Sequence, residues 1–341
     1  MSMQYRRLGQ SGLHVSPLCL GTMMFGDRTD AATSARIIDA ALDAGVNFID
    51  TADVYTKGES ERVVGPAIAS KRTQWILATK AGNVMTAKPH DGGSSRRWLL
   101  RACDESLARL ATDYIDIFYL HRDDTDTPLS ETVGALGELI RSGKIRHFGL
   151  SNFRGWRIAE IMHLCATMHV PQPVVCQPYY NLLNRMPEVE ILPACDYYGI
   201  GVASYSPVAR GVLTGKYAPG AAPVPGSRAA RGDKRIMETE FREESLRIAQ
   251  TLRDHAQATG RTLLQFALAW LWANRIVTSV IAGPRTLEQW QDYVAALGTA
   301  WNAHDDAIVD ALVARGHPST PGYNDPSYPF YGRVADNNAG R

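Results

Sequence analysis

The sequence of 341 residues lacks the features that mark secreted and membrane proteins. Its five cysteines are odd in number and no two lie within ten residues of each other, so it has neither a CxxC pair nor a secreted disulfide framework. No apolar run reaches the roughly 20 residues that span a bilayer, and the N-terminal MSMQYRRLGQ lacks the apolar centre of a signal peptide. We therefore expect a cytoplasmic globular protein, in a compartment where thiols stay reduced.

The sequence also lacks a large excess of positive or negative charge. Lys and Arg number 36 and Asp and Glu 35, which gives a net charge of +1. This balance provides no general attraction to nucleic acid or to an anionic membrane, and we expect neither as a partner. Hydrophobic residues make up 45% of the chain, enough for a large core, and the length suits one closed α/β barrel. The oligomeric state stays open.

Short apolar runs alternate with helical patterns along most of the chain. Near-continuous apolar runs are typical of parallel strands covered on both faces. Eight such runs predict strands over 17–21, 46–50, 75–80, 114–120, 145–151, 174–179, 200–206 and 278–283. Apolar residues at helical spacing predict helices over 31–44, 59–69, 96–110, 129–142, 155–167, 187–197, 262–273 and 286–297.

Eight strands, each followed by a helix, predict an α/β fold, the (β/α)8 TIM barrel. An open doubly wound sheet is the alternative. We expect one barrel domain over 1–316, whose residues 1–16 form an N-terminal hairpin that closes the barrel bottom. A long loop rich in Gly, Pro and Arg, 210–240, follows the seventh strand. The C-terminal tail, 317–341, is predicted to be irregular, although part of it could dock through Tyr323, Tyr328, Phe330 and Tyr331.

Four polar residues follow or end three consecutive strands, where active residues of such barrels gather. Asp50 ends the second strand and is followed closely by Tyr55, Lys80 ends the third, and His121 follows the fourth. A buried ammonium beside a tyrosine favours the phenolate and lowers the pKa of the phenol, and a carboxylate keeps that ammonium charged. With a histidine to hold a carbonyl oxygen, the set supplies the proton donor and oxyanion site that carbonyl reduction requires.

Each of these four residues alone has a simpler interpretation. Asp50 would cap a helix, Tyr55 would be a rim aromatic, Lys80 would be solvated, and His121 would be a hydrogen-bonded loop residue. Their joint occurrence at neighbouring strand ends favours the catalytic interpretation.

The motifs that carry these residues resemble the catalytic signature of the aldo-keto reductase superfamily. They are DTADVY at 50–55, ATK at 78–80 and YLHR at 119–122, and the likeness continues through GLSNF at 149–153, QPYYN at 177–181, SYSPVARGVLTGKY at 204–217 and IAGPRTLEQ at 281–289. The resemblance extends over about residues 4–300 and implies a TIM barrel with NADPH/NADP+ as cofactor. It implies reversible hydride transfer between the nicotinamide and a small-molecule carbonyl or alcohol substrate. It assigns Tyr55 as the acid, Lys80 and Asp50 as its tuning pair, and His121 as the group that orients the carbonyl.

The resemblance also implies a set of cofactor-binding residues. Ser151, Asn152 and Gln177 would hold the nicotinamide carboxamide, Tyr205 would stack on its ring, and Arg285, just before a helix N-terminus, would bind the 2′-phosphate that distinguishes NADPH from NADH. The remaining members of the set are Gly21, Thr22, Met23, Asp50, Ser206, Pro207, Gly211, Lys216, Gly283 and Gln289. Simpler interpretations are a helix cap for Ser151 and Asn152, core packing for Tyr205 and a solvated charge for Arg285.

Two positions depart from the family pattern. Ala282 stands where many members have Pro, and Tyr293 where many have Asn, so the adenine contacts are open. Substrate identity does not transfer either. We expect the substrate pocket to be built from Met23, Met24 and Phe25 after the first strand, from Phe153, and from the long loop after the seventh strand or the tail. The Met and Phe side chains favour hydrophobic aldehydes, aromatic carbonyls or cyclic ketones over small charged sugars.

The sequence lacks the motifs of several other enzyme classes. No lysine follows a tyrosine in YxxxK spacing, GxGxxG and GxSxG are incomplete, and there is no HExxH, Walker A motif or metal-ligand cluster. The alternative function is a nicotinamide-binding regulatory or redox-sensing subunit with little turnover. The complete set of Tyr55, Lys80, Asp50 and His121 favours turnover.

Overall fold

Eight short parallel strands close into a barrel in the computed structural model, which describes residues 3–329. Each strand pairs with the next along the chain, and the last pairs with the first through Val280 and Leu18. The predicted barrel is confirmed and the open sheet is excluded. The strands are β3 (Leu18–Gly21), β4 (Phe48–Asp50), β5 (Ile76–Ala81), β6 (Ile115–Leu120), β7 (Ile145–Ser151), β8 (Val175–Gln177), β9 (Gly201–Ser204) and β10 (Val277–Ala282).

Alternate residues of these strands face the inside of the barrel, because successive side chains of a strand point to opposite faces. Cys19, Phe48, Ile117 and Tyr119 belong to an interior cluster, separate from the larger core between the strands and the helices. The N-terminal hairpin pairs β1 (Arg6–Arg7) with β2 (His14–Val15), and it contributes Leu8 and Val15 to the same interior cluster. The hairpin therefore closes one end of the barrel, as predicted.

The eight predicted helices all form, with ends within a few residues of the predicted ones. Asp30 caps the first helix by accepting from the Thr33 N–H at 2.8 Å, and Gly45 follows that helix with φ +84°. These helices are α1 (Ala31–Asp43), α2 (Glu59–Ile68), α3 (Arg96–Leu110), α4 (Leu129–Arg141), α5 (Gly155–Thr167), α6 (Ile191–Tyr198), α9 (Leu263–Ala273) and α10 (Leu287–Ala295).

Three helices of the structure have no counterpart in the sequence prediction: α7 (Lys234–Glu238), α8 (Glu243–Ala258) and α11 (Ala303–Leu312). The long segment after β9 therefore contains a 3₁₀ turn at Ala209–Thr214 and the short helix α7 before α8 begins. None of the helices within residues 3–329 combines the length and apolar character needed to cross a bilayer.

The described part of the tail, 317–329, packs against the segment 235–245. Arg235 forms an ion pair with Asp325 at 2.7 Å, and Arg242 lies 3.8 Å from the ring centroid of Tyr323. Ser245 and Ser319 share a hydrogen bond of 2.8 Å. Docking through Tyr323 and Tyr328 agrees with the prediction, whereas Phe330 and Tyr331 lie outside the described residues. The domain boundary at residue 316 stays a prediction.

Candidate active site

The four predicted catalytic residues meet at the carboxyl ends of β4, β5 and β6. Asp50 is the last residue of β4, Lys80 lies in β5, and His121 follows β6. Tyr55 begins a 3₁₀ turn between β4 and α2. Parallel strands of a barrel end at one face, and the loops that follow them supply side chains to a common site.

Lys80 lies at the centre of this group and is fully buried. Its Nζ donates to Asp50 Oδ1, to the Thr51 carbonyl oxygen at 2.7 Å, and to the Tyr55 hydroxyl at 3.1 Å. The second oxygen of Asp50 accepts from Gln177 Nε2 at 3.0 Å. All three donor directions of the ammonium are therefore used, and the lysine holds the phenol in a fixed position.

His121 lies against the tyrosine ring. The two rings meet edge to face, with centroids 5.7 Å apart and planes at 81°. The backbone oxygen of His121 accepts from Asn152 Nδ2 at 2.9 Å. The ring Nδ1 of His121 is buried and makes no hydrogen bond to any residue of 3–329.

Burial and charge determine the proton positions in this group. Burial raises the pKa of Tyr55 and outweighs the lowering effect of Lys80, so the phenol keeps its proton. Burial alone lowers the pKa of Lys80. Asp50 and Tyr55 raise it by a larger amount, so the net pKa shift of Lys80 is upward. Burial also raises the pKa of Asp50, against the effect of Lys80. The pKa of His121 is well below 6.5 because of burial and the nearby Lys80 charge, so the ring is neutral.

The net pKa shift of Tyr55 differs from the expected one. The lysine does favour the phenolate, as the residue types predict, but removal of the phenol from water has the larger effect. The Tyr55 phenol therefore keeps its proton, with the charge of Lys80 beside it.

A second polar group lies at the ends of β7, β8 and β9. Ser151 Oγ donates to the Gln177 carbonyl oxygen at 2.9 Å, and Tyr205 OH donates to Asn152 Oδ1 at 2.8 Å. Asn152 has φ +63°, a left-handed conformation that Asn tolerates better than most residues. The ring of Tyr205 stacks on that of Tyr179, with centroids 5.5 Å apart. Amide and hydroxyl groups are thus fixed beside Asp50 and His121.

A cavity of about 690 Å³, which we call the main cavity, connects both groups. Every predicted catalytic and cofactor-binding residue except Lys80 lines it; Lys80 is enclosed behind Asp50 and Tyr55. Of the predicted substrate rim, Met23 and Met24 line the main cavity, whereas Phe25 is buried in the core and Phe153 lines a separate cavity. Their functional roles stay predictions. The main cavity also includes residues that the sequence did not indicate, among them Arg210, Arg228, Arg231, Arg235 and Tyr328.

One region of the main cavity is strongly cationic. Burial lowers the pKa of Lys216, and the charges of Arg285, Arg231 and Arg228 lower it further. Arg228 pairs with Asp233 at 3.0 Å, but within residues 3–329 no carboxylate lies within 4.0 Å of Lys216, Arg231 or Arg285. A group of cations around an open cavity suits an anionic ligand. Arg228 and Arg231 were missed because their loop has no periodic pattern, although its basic composition was a signal.

Close contacts fix the backbone near this region. A Cβ on Gly21 would lie 2.7 Å from Ile281 Cγ2, so only glycine lets the two strands approach as they do. Gln289 Oε1 accepts from the Arg285 N–H at 2.9 Å, which fixes the segment before α10. Tyr293 is buried in the core and also lines the main cavity. Core packing and contact with the adenine therefore both stay open for this residue.

A buried acidic residue lies two positions before Tyr55. Asp53 is almost fully buried, and neither of its carboxylate oxygens makes a hydrogen bond to any residue of 3–329. Burial and the negative charge of Glu61 raise the pKa of Asp53 to about 8. Glu61 itself is buried and accepts from Arg109 Nε at 2.6 Å. This region was not predicted to hold titratable groups beyond the catalytic set.

Comparisons with known proteins agree with the geometry. The sequence profile of the Aldo/keto reductase family matches residues 17–314. The chain is 37% identical over 303 residues to a probable voltage-gated potassium channel subunit beta of Oryza sativa subsp. japonica, covering 86% of this chain and 91% of that protein. It is 37% identical over 307 residues to an uncharacterized oxidoreductase of Bacillus subtilis, with 86% and 91% covered. It is 36% identical over 330 residues to the L-glyceraldehyde 3-phosphate reductase of Escherichia coli K12, with 92% and 93% covered.

Proposed function

The chain belongs to the aldo/keto reductase family and is an NAD(P)H-dependent oxidoreductase, and on that premise we propose that it reversibly reduces an aldehyde or ketone with NADPH, with Tyr55 as the proton donor. The observation that carries this proposal is the Tyr55 hydroxyl, 3.1 Å from the buried Lys80 ammonium and beside the neutral His121 ring, on the wall of the main cavity.

Tyr55 transfers its proton to the carbonyl oxygen during reduction. A carbonyl oxygen that gains electron density needs a donor, and a protonated phenol is one. The resulting phenolate is stabilised by Lys80, whose charge Asp50 maintains. His121, neutral at physiological pH, orients the same oxygen by hydrogen bonding and adds no second positive charge.

The cofactor assignment rests on the residues that line the main cavity. The fixed amide and hydroxyl groups of Ser151, Asn152 and Gln177 would hold the carboxamide of the nicotinamide, and Tyr205 would contact its ring. The cations Lys216 and Arg285, which lack carboxylate partners within 3–329, suit the phosphates of NADPH. When bound, the nicotinamide supplies the hydride that reduces the carbonyl carbon.

A replacement of Tyr55 by Phe tests the proposal directly. The Tyr55→Phe variant keeps the ring but loses the proton, so turnover of a carbonyl panel, followed by NADPH absorbance, is expected to fall about 10²-fold or more. NADPH affinity, followed by fluorescence titration, is expected to stay unchanged. Tyr197→Phe is the matched control, because Tyr197 is 82% exposed and lies outside the main cavity. Near-normal turnover of Tyr55→Phe would refute the role of Tyr55.

A regulatory subunit that binds the cofactor with little turnover is the second candidate. It is favoured by relatives named as potassium channel beta subunits, one of them 37% identical. The two candidates differ in one measurement: NADPH binding without turnover across a broad carbonyl panel would support the regulatory function. We propose a small-molecule carbonyl or alcohol as partner and the cytoplasm as the setting, in keeping with five free, buried cysteines.

A further inference from the structure

A fully buried tyrosine, Tyr119, lies next to Lys80 inside the barrel. Tyr119 of β6 and Lys80 of β5 are partners in the register of the two strands, and both side chains are excluded from water. Side chains at one register position of neighbouring parallel strands point to the same face, and Tyr119 belongs to the interior cluster. Tyr119 does not line the main cavity, so it does not contact a molecule bound there.

The Lys80 ammonium lies over two aromatic rings. Its nitrogen is 4.6 Å from the ring centroid of Tyr55 and 5.9 Å from that of Tyr119. Both distances lie within the range at which the negative face of a ring attracts a cation, and the attraction is stronger away from water. The hydrogen bonds of the ammonium all go to residues 50–55. Tyr119 therefore adds an attraction that comes from a different strand.

The strand on the other side of β6 makes room for the Tyr119 ring. Gly149 of β7 is the register partner of Tyr119, and a Cβ on Gly149 would lie 2.6 Å from Tyr119 Cε1 and 2.8 Å from Val175 Cγ1. A Cβ atom does not approach its neighbours so closely, so any side chain at position 149 would displace the ring. The Tyr119 ring is thus held at one position, flanked by Lys80 of β5 and Gly149 of β7.

Tyr119 stays a neutral phenol. Burial, and then the negative charge of Asp50, raise the pKa of Tyr119 well above its ordinary value. Because it keeps its proton and does not reach the main cavity, Tyr119 does not compete with Tyr55 as a proton donor. What it provides beside Lys80 is the face and the bulk of its ring.

We propose that Tyr119 is a positioning residue for the reaction: its ring, for which Gly149 leaves the space, holds the Lys80 ammonium within hydrogen-bond distance of the Tyr55 hydroxyl. The inference rests on the proposed function, because it concerns the group that stabilises the proton donor of that reaction. Without the ring, the long side chain of Lys80 gains other rotamers. The ammonium then spends less time at Tyr55, and its influence on the phenol weakens.

Replacement of Tyr119 by Met tests the proposal. Met fills much of the space but has no ring face. We expect kcat to fall about tenfold, since small displacements of a group in a site cost this much or more. The KM for NADPH is expected to stay within about twofold of the wild type, because Tyr119 lies outside the main cavity. The basic limb of the kcat/KM profile is expected to shift to higher pH, because a less closely held Lys80 lowers the pKa of Tyr55 less.

Two further variants separate positioning from packing. Tyr119→Phe keeps the ring, so kcat is expected to stay within about twofold of the wild type and the basic limb is expected not to move. Phe118→Met is the matched control, because Phe118 is the preceding residue of β6, is equally buried, and packs in the larger core outside the barrel. It is expected to lose stability to denaturant as Tyr119→Met does, with an unshifted basic limb. An unshifted limb in Tyr119→Met, or the same shift in Phe118→Met, overturns the inference.

A measurement without turnover separates this inference from the proposed function. In a chain labelled with ¹⁵N at the lysine Nζ atoms, the NMR signal of Lys80 is the one that Lys80→Met lacks. Its ammonium hydrogens are bonded away from water, and we expect them to exchange about tenfold faster in Tyr119→Met than in the wild type or in Phe118→Met. Absence of turnover across the carbonyl panel would refute the proposed function and leave this exchange rate as the test. Equal exchange in Tyr119→Met and the wild type overturns the inference, whether or not the reductase function stands.

Discussion

Replacement of Lys80 by Met removes the charge at the centre of the site with little change in volume. Lys80 is fully buried and Asp50 is 2% exposed, so the variant leaves a carboxyl group without its ammonium partner away from water. Among residues 3–329, the side chain of Asp50 then retains only the hydrogen bond from Gln177 Nε2. Removal of one partner of a buried ion pair costs about 3–5 kcal/mol, and we expect Lys80→Met to lose free energy of unfolding of that order.

The loss is expected to depend on pH. Without the ammonium, burial raises the pKa of Asp50 further above its unfolded value of about 3.9, so the folded chain holds a proton that the unfolded chain releases. Between these two pKa values the unfolding free energy falls as pH rises. The difference from the wild type is therefore smallest near about pH 4 and grows toward neutral pH.

Lys80→Met is also expected to change catalysis, because it changes the pKa of Tyr55. Loss of the ammonium removes the main influence that lowers the pKa of Tyr55, so the basic limb of the kcat/KM profile is expected to shift to higher pH. Turnover is expected to fall because the phenolate loses its stabilising charge. The assays are chemical denaturation at several pH values and NADPH oxidation across the same range.

Two variants make the result decisive. The double variant Asp50→Asn/Lys80→Met no longer buries an unpaired charge and is expected to regain about 2 kcal/mol of stability without regaining activity. Lys71→Met, which removes a lysine that is 38% exposed and paired with Asp39, is expected to cost less than about 1 kcal/mol. Wild-type stability together with an unchanged basic limb in Lys80→Met would refute the reasoning.

Further predictions concern cofactor choice and two buried charges. Arg285→Ala is expected to raise the KM for NADPH about tenfold in steady-state assays and leave that for NADH nearly unchanged; equal losses would show that Arg285 only supports its loop. Asp53 has a pKa of about 8, so wild-type stability falls as pH rises from its unfolded pKa to that value. Asp53→Asn is expected to flatten this pH dependence. Above the Asp53 pKa, its free energy of unfolding, measured by denaturation, is expected to exceed that of the wild type by on the order of 2 kcal/mol. An unchanged pH dependence would contradict the assignment. Arg109→Met leaves the buried Glu61 unpaired and is expected to lose about 3 kcal/mol or more. Arg247→Met, which breaks an exposed pair, is expected to lose less than about 0.5 kcal/mol, and similar losses in the two variants would refute the distinction.

The sequence predicted the barrel because strands and helices leave local patterns. Apolar runs located all eight strands, and residues at their ends, such as Asp50 and Lys80, could be placed together from topology alone. Helix α8 was missed although Leu246, Ala249, Leu252 and Ala256 repeat at helical spacing. Helix α8 was not predicted because the sequence prediction assigned one helix to each strand.

Features that depend on contacts between distant residues were not predictable in this way. The position of Tyr328 depends on the pair Arg235–Asp325, which no local pattern indicates. The net pKa shift of Tyr55 depends on how completely water is excluded, and residue types do not show that. A separate cavity of about 510 Å³ has no motif, because its walls come from the segments after β7 and β8, the start of α6 and the tail.

The pairing of Leu18–Gly21 with Val277–Ala282 also determines when the site can exist during synthesis. Until β10 has left the ribosome, β3 and β9 are both open edges with unpaired backbone groups. At translation rates of about 5–20 residues per second, β3 stays an open edge for about 10–50 s and β9 for about 4–15 s. A chain that stops before residue 277 keeps both edges, and lacks Arg285 and the tail as well. Premature termination late in the gene is therefore expected to yield an aggregating chain and not a partly active one.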